Sequence, residues 1–143
     1  MSDANETSPR PVRVLVYSDD RNVRDQVRFA IGKRPAKDLG PFEYVECATQ
    51  PAVLKAVDAG GLDVLVLDGE AVPAGGMGLA RQLKDEIFRC PPIMVLTGRP
   101  QDAWLATWSR AEAALPHPLD AVALAKAVVE LARRRQAALP STA

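Results

Sequence analysis

The sequence predicts an α/β domain in which helices cover both faces of a five-stranded parallel sheet. Short runs rich in β-branched or aromatic residues alternate five times with segments of helical periodicity. Three of the runs are almost continuously apolar, which is typical of strands that are buried on both faces of a parallel sheet. Five such βα units joined by right-handed crossovers give a doubly wound domain.

The five predicted strands are short. They include VRVLVYS, FEYVECA, DVLVLD and PIMVLTG, and the complete set is residues 12–18, 42–48, 63–68, 92–98 and 112–116. The first, third and fourth are the apolar runs and are therefore expected at the centre of the sheet.

A segment with helical spacing follows each strand. In the third, Leu79, Leu83 and Ile87 recur every four residues, and the last repeats its apolar residues at intervals of three and four. The predicted helices are residues 21–34, 50–59, 76–89, 101–111 and 119–135.

A chain of 143 residues is long enough for one hydrophobic core and too short for two comfortable ones. We assign one domain to residues 12–135. Residues 1–11 and 136–143 are poor in large apolar groups, so we expect a disordered N-terminal tail and a loose C-terminal tail.

Composition argues against several classes of partner. Eighteen basic and eighteen acidic residues leave no net charge, so no nucleic-acid partner is expected. The basic run at 133–135 ends a predicted helix, where cations complement the helix dipole. No segment resembles a membrane helix or a signal peptide, so we expect a cytoplasmic protein without membrane insertion.

The two cysteines, Cys47 and Cys90, are far apart and have no CxxC spacing. A metal site or a disulfide framework is therefore unsupported, and both thiols are expected to be small core residues.

Polar residues follow the strands at one edge of the predicted sheet, where ligands bind in open parallel sheets. Carboxylates near a hydroxyl and a cation could hold Mg²⁺ with a phosphoryl group, and an aspartate could itself be phosphorylated. The residues concerned are Ser18, Asp19, Asp20, Asp68, Thr97, Gly98, His117 and Pro118.

These motifs resemble the receiver domains of two-component response regulators. VLVYSDDRNVR is similar to the acidic first loop, VLVLDGE to the phosphoacceptor strand, IMVLTGR to the hydroxyl-bearing strand and PHP to the Lys-Pro step. The resemblance covers about residues 12–135. It implies a flavodoxin-like (βα)5 fold with strand order 2-1-3-4-5 and no enzymatic activity of its own.

The resemblance also implies roles for particular residues. Asp68 would be the phosphoacceptor, and Asp19, Asp68 and the Glu70 backbone carbonyl would bind Mg²⁺. Thr97 would be the switch hydroxyl, and His117 stands where the family has the lysine that contacts the phosphoryl group.

Several positions depart from the family pattern. Ser18 replaces one of two adjacent acids, and Ala114 stands in place of the switch aromatic. His117 carries an imidazole, which is mostly neutral at pH 7, where a lysine is charged. Pro73 and Gly78 lie one and two residues later than the pattern places them.

Two classes of function remain. The departures favour a pseudo-receiver that acts by protein–protein docking. The alternative is a stand-alone receiver that accepts a phosphoryl group on Asp68 from a histidine kinase. A third interpretation is that Asp68 only ends a buried strand.

Trp104 and Trp108 lie four residues apart on the predicted fourth helix, so their rings share one face. In receivers this helix belongs to the usual partner surface, and tryptophan is enriched at interface hot spots. The alternative is that one or both rings pack into the core.

The segment GRPQDAWLATWSRAEAALPHP is similar to orphan receivers of mycobacteria and related actinobacteria that are linked to the respiratory NADH dehydrogenase, complex I. This resemblance implies an accessory subunit on the cytoplasmic arm of that complex, peripheral to the inner membrane. No flavin, NAD or iron–sulfur site is expected, because the cluster-ligand cysteines are missing.

Three loops allow other interpretations. The acidic SDD turn disfavours a flavodoxin-like nucleotide site, and AGGMG lacks the spacing of a phosphate-binding loop, so it is expected to be flexible. Residues 32–42 are predicted to be a solvated connection, with a binding lip as the alternative.

Overall fold

The computed structural model describes residues 9–138, and the predicted tail residues 1–8 and 139–143 lie outside the described part. Five parallel strands form one sheet in the order β2-β1-β3-β4-β5. The predicted fold class and strand order are therefore confirmed. The strands are β1 Val12–Tyr17, β2 Phe42–Cys47, β3 Val64–Asp68, β4 Ile93–Thr97 and β5 Ala113–Pro116.

Five helices cover the sheet. They are α1 Arg21–Ile31, α2 Gln50–Ala59, α3 Gly76–Glu86, α4 Trp104–Ser109 and α5 Ala121–Ala138. Alternate residues of the central strands point to opposite faces, and the core is accordingly split into two clusters. Helices α1 and α5 pack on one face, and α2, α3 and α4 pack on the other.

The central strands β3 and β4 are buried at every residue. This is the reason for their uninterrupted apolar sequences, because a strand covered on both faces has no solvent-facing side. Strand β2 lies at an edge, and its burial alternates in part with exposed Glu43 and Glu46.

Local signals fix several helix ends. The Asp20 side chain accepts a hydrogen bond from the Asn22 amide at 2.8 Å and caps α1. Gly32 ends that helix with φ 75°, a conformation that glycine adopts without strain. The helix therefore stops at Ile31, three residues before the predicted end.

The fourth helix differs most from its prediction. A 3-10 turn occupies Pro100–Ala103, and the α-helix is limited to Trp104–Ser109. Arg110 has φ 66°, which ends the helix. The Ser109 hydroxyl donates to the Ala106 carbonyl at 2.7 Å and occupies an acceptor of the last turn.

Two other helix ends also differ. Helix α3 ends at Glu86 because Ile87 is extended, whereas the apolar periodicity alone predicts continuation to 89. Helix α5 begins at Ala121, after Asp120 accepts hydrogen bonds from two backbone amides, and it runs to Ala138. Residues 136–138 thus extend the helix, although the sequence places them in the tail. None of the described helices has the length and apolar character needed to cross a membrane.

Asp63 joins the start of β3 to the N-terminal segment. Its carboxylate, which is 1% exposed, accepts from the Arg10 guanidinium at 2.7 Å and from the Arg13 amide at 2.9 Å. A buried carboxylate is stabilised only when such partners satisfy its oxygens. These bonds hold β1 in register beside β3.

Replacing Asp63 with alanine should lower the free energy of unfolding by about 1–3 kcal/mol, because the Arg13 amide then loses its buried acceptor. Urea denaturation measures the change. The exposed Asp58 of α2 provides the control, and Asp58→Ala should change stability by less than about 0.5 kcal/mol. Equal effects of the two substitutions would contradict this role of Asp63.

Candidate functional site

The carboxyl ends of the strands surround a cleft of about 330 Å³. Strand β3 delivers Asp68 to it, and the loops after β1 and β4 deliver their polar residues beside it. This is the edge at which open parallel sheets bind ligands. The lining residues are Asp19, Asp20, Val23, Asp68, Glu70, Gly98 and His117.

Asp68 is 3% exposed, and protein groups surround its carboxylate. Oδ2 accepts a hydrogen bond from the Ser18 hydroxyl at 2.8 Å. Oδ1 accepts from the Glu70 backbone amide at 2.9 Å and lies 3.4 Å from His117 Nε2. The last distance is too long for a strong hydrogen bond. Asp68 is therefore held chiefly by Ser18 and its own turn.

The Ser18 hydroxyl has a fixed direction. Its oxygen accepts from the Asp20 amide at 3.0 Å, so its one proton is available to Asp68. Ser18 is completely buried. The residue that replaces a family acid is thus a neutral donor to the predicted phosphoacceptor, a role that its position in the sequence does not reveal.

Other contacts fix the loop after β1. Asp19 Oδ1 accepts from the Val72 amide at 3.1 Å, which ties this loop to the one after β3. Arg24 Nη1 donates to the Ser18 carbonyl at 2.7 Å, and its Nε lies 3.1 Å from a Glu46 oxygen. The acidic turn is thereby held between α1 and the edge strand.

The loop between β3 and α3 is closely packed against the site. Tyr17 donates its hydroxyl proton to the Ala74 carbonyl at 2.5 Å. A Cβ on Gly76 would lie 2.7 Å from the Asp68 carbonyl oxygen, so only glycine fits there. Gly76 thus lets the start of α3 approach the end of β3 closely. The contact from Tyr17 was not predicted, because its apolar strand indicates a core residue.

The structure places the remaining predicted residues at different depths. Thr97 ends β4, is 2% exposed, and is not among the residues that line the cleft. Its carbonyl accepts from the His117 amide at 2.8 Å and positions that residue. His117 lines the cleft, and Ala114 is exposed on β5.

The cleft is strongly acidic. Four of its described lining residues carry carboxylates, and His117 is the only one of them with a basic side chain. Burial raises the pKa of the Tyr17 phenol, and the charges of Asp19 and Asp68 raise it further. The Tyr17 hydroxyl therefore keeps the proton that it donates to the loop.

The donor set suits Mg²⁺ in kind, because Asp19, Asp68 and Glu70 bring oxygen atoms to one cleft with room for the waters that Mg²⁺ retains. The ligand roles of these residues remain predictions. Bound there, the ion would supply positive charge to an incoming phosphoryl group. Among residues 9–138, no group of three His, Cys, Asp or Glu side chains could hold a metal ion, so Mg²⁺ would depend on two carboxylates, the Glu70 backbone carbonyl and water. Because Asp68 already accepts a hydrogen bond from the Ser18 hydroxyl, we expect Mg²⁺ to bind weakly.

Trp104 and Trp108 lie on α4, outside the residues that line the cleft. Their exposed fractions are 66% and 45%. The guanidinium of Arg81 on α3 lies 5.1 Å from the Trp108 ring centroid and donates to the Trp108 carbonyl at 2.8 Å. Both rings thus reach solvent, and one is held against a neighbouring helix.

The cysteines differ in burial. Cys47 ends β2 and is buried, whereas Cys90 is only partly buried, and both are free thiols. Burial raises the pKa of each thiol. The expected core placement is therefore confirmed for Cys47 and only in part for Cys90.

A (βα)5 domain with an aspartate at the end of its third strand has the architecture expected of a receiver domain. Solved structures agree on the fold. The receiver domain of Francisella response regulator 1452 matches with TM-score 0.73 and 18% identity over 86% of this chain and 98% of that one. The chemotaxis response regulator CheY4 of Vibrio cholerae matches with TM-score 0.70 and 19% identity over 85% and 99%. A scan against protein-family models finds no match.

Curated sequences extend the assignment. Two proteins of Mycobacterium tuberculosis, from strains CDC 1551 and H37Rv, are each named an uncharacterized response regulatory protein. Each is 56% identical to this chain over 126 residues, which cover 88% of this chain and 95% of the relative. The chain belongs to the response regulator family and forms a receiver domain.

Replacing Ser18 with aspartate should create a magnesium-dependent protein. Without Mg²⁺ the new carboxylate faces Asp68 across the 2.8 Å contact and lowers stability. Millimolar Mg²⁺ should return about 1–2 kcal/mol to this variant and less than about 0.5 kcal/mol to the native chain. Thermal unfolding with and without Mg²⁺ measures both gains.

Ser18→Asn is the matched control, because it has the size of aspartate without the charge. Its stability should not respond to Mg²⁺. A native chain that gains as much as the aspartate variant would contradict weak binding.

Proposed function

We propose that this receiver domain is a pseudo-receiver, which docks constitutively to a protein partner and does not accept a phosphoryl group on Asp68. The observation that carries the proposal is the hydrogen bond from the buried Ser18 hydroxyl to Asp68. Ser18 is a neutral donor that satisfies the Asp68 carboxylate. At the position of Ser18 the family usually has a second acid, which helps to bind Mg²⁺.

Electrostatics supports the same function. A phosphoryl group carries negative charge, and three carboxylates besides Asp68 itself line the cleft through which it would approach. The only basic group lining that described cleft is His117, whose Nε2 lies 3.4 Å from Asp68 Oδ1. The lysine that the family has at this position is positively charged at neutral pH, whereas an imidazole carries a positive charge only while it is protonated. The transfer is therefore poorly stabilised.

The residues at the family's switch positions, Ala114 and Thr97, support the proposal independently. Ala114 has no ring that could move between buried and exposed rotamers. The Thr97 residue is almost completely buried, away from the cleft lining. Phosphorylation of Asp68 would therefore rearrange few surface side chains. This suits a surface that can bind its partner constitutively.

We assign docking to the surface formed by Trp104, Trp108 and Arg81, called the tryptophan surface below. The rings are exposed, and the Arg81 contacts order one of them before any partner binds. Exposed, preordered aromatic residues with a neighbouring arginine are typical of interface hot spots. The surface needs no rearrangement of the site to become available.

The proposed partner is the cytoplasmic arm of the respiratory NADH dehydrogenase, complex I. The support is the resemblance of the segment from Gly98 to Pro118 to receivers linked with that complex. In this assignment the chain is a regulatory or accessory subunit without enzymatic or redox activity. It would be cytoplasmic and peripheral to the inner membrane through its partner, with no nucleic-acid contact.

A second function is favoured by one observation. Asp68 and Asp19 both line the cleft, so a phosphoacceptor and an oxygen ligand for Mg²⁺ remain in place. In that case the chain would be a phosphorylation-dependent stand-alone receiver, with a histidine kinase as the phosphoryl donor.

Copurification from solubilised membranes separates the two functions. The tagged native chain should retain NADH dehydrogenase, and Trp104→Ala or Trp108→Ala should reduce the retained amount at least about tenfold, since hot-spot truncation costs 2 kcal/mol or more. Asp68→Asn should retain the complex. Immunoblotting and NADH oxidation of the eluate measure retention.

Phe88→Ala is the control, because Phe88 is an 87% exposed aromatic residue outside the tryptophan surface. Loss of the complex only in Asp68→Asn would favour the phosphorylation-dependent receiver. A partner other than NADH dehydrogenase that depends on both tryptophans would replace complex I and leave the docking surface assigned.

A further inference from the structure

A protruding aromatic side chain lies at the amino edge of the sheet, opposite the cleft. Phe88 belongs to the loop between α3 and β4 and is 87% exposed, more than any other large apolar residue among residues 9–138. The Arg89 guanidinium lies 5.4 Å from the centroid of its ring. Phe88 lines neither the cleft nor the groove of about 820 Å³ between α1 and α5. Its ring therefore projects into solvent instead of closing a cavity.

The backbone that carries Phe88 is held in place. Arg89 has φ 54°, in the left-handed region that residues other than glycine seldom adopt. Arg135 of α5 donates from Nη1 to the Arg89 carbonyl at 3.0 Å and holds this conformation. The same hydrogen bond brings the C-terminal part of α5 beside the loop. Phe88 is thus presented by a braced turn and lies close to the cations of α5.

The C-terminal part of α5 carries three consecutive arginines, Arg133, Arg134 and Arg135. The helix runs to Ala138, so only Arg135 lies in the last turn, where the helix dipole stabilises a cation. The dipole therefore does not account for Arg133 and Arg134.

Most of these cations are uncompensated. Arg133 is paired with Asp38 of the loop after α1 at 2.9 Å, which brings the exposed neighbouring residue Lys37 to the same side of the molecule. Within the described part of the chain, no ion pair is formed by the other cations of this edge, which are Lys37, Arg89, Arg134 and Arg135. These four residues and Phe88 are called the basic edge below.

Acidic residues near this edge do not cancel its charge. Several of them are paired with other cations: Asp63 with Arg10, Asp85 with Arg110 and Glu112 with Lys84. Glu86 at the end of α3 and Glu130 of α5 are exposed and form no ion pair in the described chain. The four unpaired cations outnumber these two acids, so the basic edge keeps an excess of positive charge.

A second pair of arginine and phenylalanine side chains provides a comparison within the same molecule. On α1 the Arg28 guanidinium lies 5.4 Å from the ring centroid of Phe29, which is 77% exposed. Arg28, however, is paired with Asp25 at 2.7 Å and with Glu46 at 3.1 Å. The two exposed rings therefore have the same kind of neighbour. They differ in the charge around it, which is neutralised beside Phe29 and uncompensated beside Phe88.

We propose that the basic edge binds the surface of an anionic phospholipid bilayer. In this assignment the Phe88 ring enters the apolar boundary below the headgroups, and the four cations contact lipid phosphates. A bilayer surface fits both features, because it presents negative charge and an apolar layer within the length of one side chain. It also needs no pocket to receive a projecting ring, whereas a protein partner would need one of matching shape.

This inference does not rest on the proposed function. The basic edge lies at the amino ends of the strands, so a chain bound through it keeps the cleft, at the far edge, away from lipid. The tryptophan surface belongs to α4 and shares no residue with the basic edge. Copurification uses solubilised membranes, in which detergent replaces the bilayer, so Phe88→Ala remains a control there.

Cosedimentation of the full chain with lipid vesicles tests the contact. The native chain should pellet with vesicles of equal parts phosphatidylglycerol and phosphatidylcholine, and it should stay in the supernatant with vesicles of phosphatidylcholine alone. Binding should weaken as the salt concentration rises, because much of the attraction acts between exposed charges. The vesicles contain no protein, so the result does not depend on any partner complex.

Two variants with matched controls separate the apolar and the charged parts of the contact. Phe88→Ser should lower the partition coefficient about tenfold, since the ring no longer enters the bilayer. Arg134→Gln should lower it about fivefold, since one cation is lost from the anionic surface. The controls are Phe29→Ser and Lys55→Gln, which change an exposed aromatic residue of α1 and an exposed cation of α2. Both controls should bind as the native chain does, and circular dichroism verifies the fold of each variant.

A native chain that does not bind the anionic vesicles would overturn the proposal. Equal binding to neutral and anionic vesicles would also overturn it, as would a loss of binding in Phe29→Ser as large as that in Phe88→Ser. Binding of a short DNA duplex without binding of vesicles would assign the basic edge to a nucleic acid, and this result would contradict the bilayer as the partner.

Discussion

The hydrogen bond between the Ser18 hydroxyl and the Asp68 carboxylate is the interaction on which the site depends. It joins the ends of β1 and β3, which are neighbours at the centre of the sheet, and both side chains are buried. The Asp20 amide orients the hydroxyl, and the Glu70 amide holds the other carboxylate oxygen. Asp68 therefore needs no metal ion to be satisfied, and its negative charge is stabilised by fixed dipoles.

The rest of the molecule suits such a static site. Tyr17 and Gly76 hold the loop after β3, and Asp19 connects it to the loop after β1. The fold of a receiver is kept in full, and in our proposal the departures at Ser18, Ala114 and His117 remove the coupling of phosphorylation to a change of surface. The tryptophans lie on the face of the sheet that α2, α3 and α4 cover, and the groove between α1 and α5 lies on the other face.

Much of the fold could be predicted from the sequence, because the first four residues of VLVLD and of IMVLT are all apolar, as expected of strands that are buried on both faces of a parallel sheet. Helix ends were less predictable. The end of α4 depends on the left-handed backbone of Arg110, which no residue preference indicates. The site was predicted as a set of positions, but the contacts of Ser18 and Tyr17 arise where distant segments meet. The exposed residues of loop 32–42 agree with the predicted solvated connection, but its contact with Arg133 could not be predicted, because Arg133 lies 95 residues from Asp38.

The most direct test of the central claim is the intact mass of the full chain after incubation with Mg²⁺ and acetyl phosphate, read before an acyl phosphate can hydrolyse. The account predicts no phosphoryl adduct on the native chain, and an adduct on the Ser18→Asp, His117→Lys double variant, in which the second acid and the permanent cation are present. An adduct on the native chain that disappears in Asp68→Asn would contradict the account and identify a working phosphoacceptor.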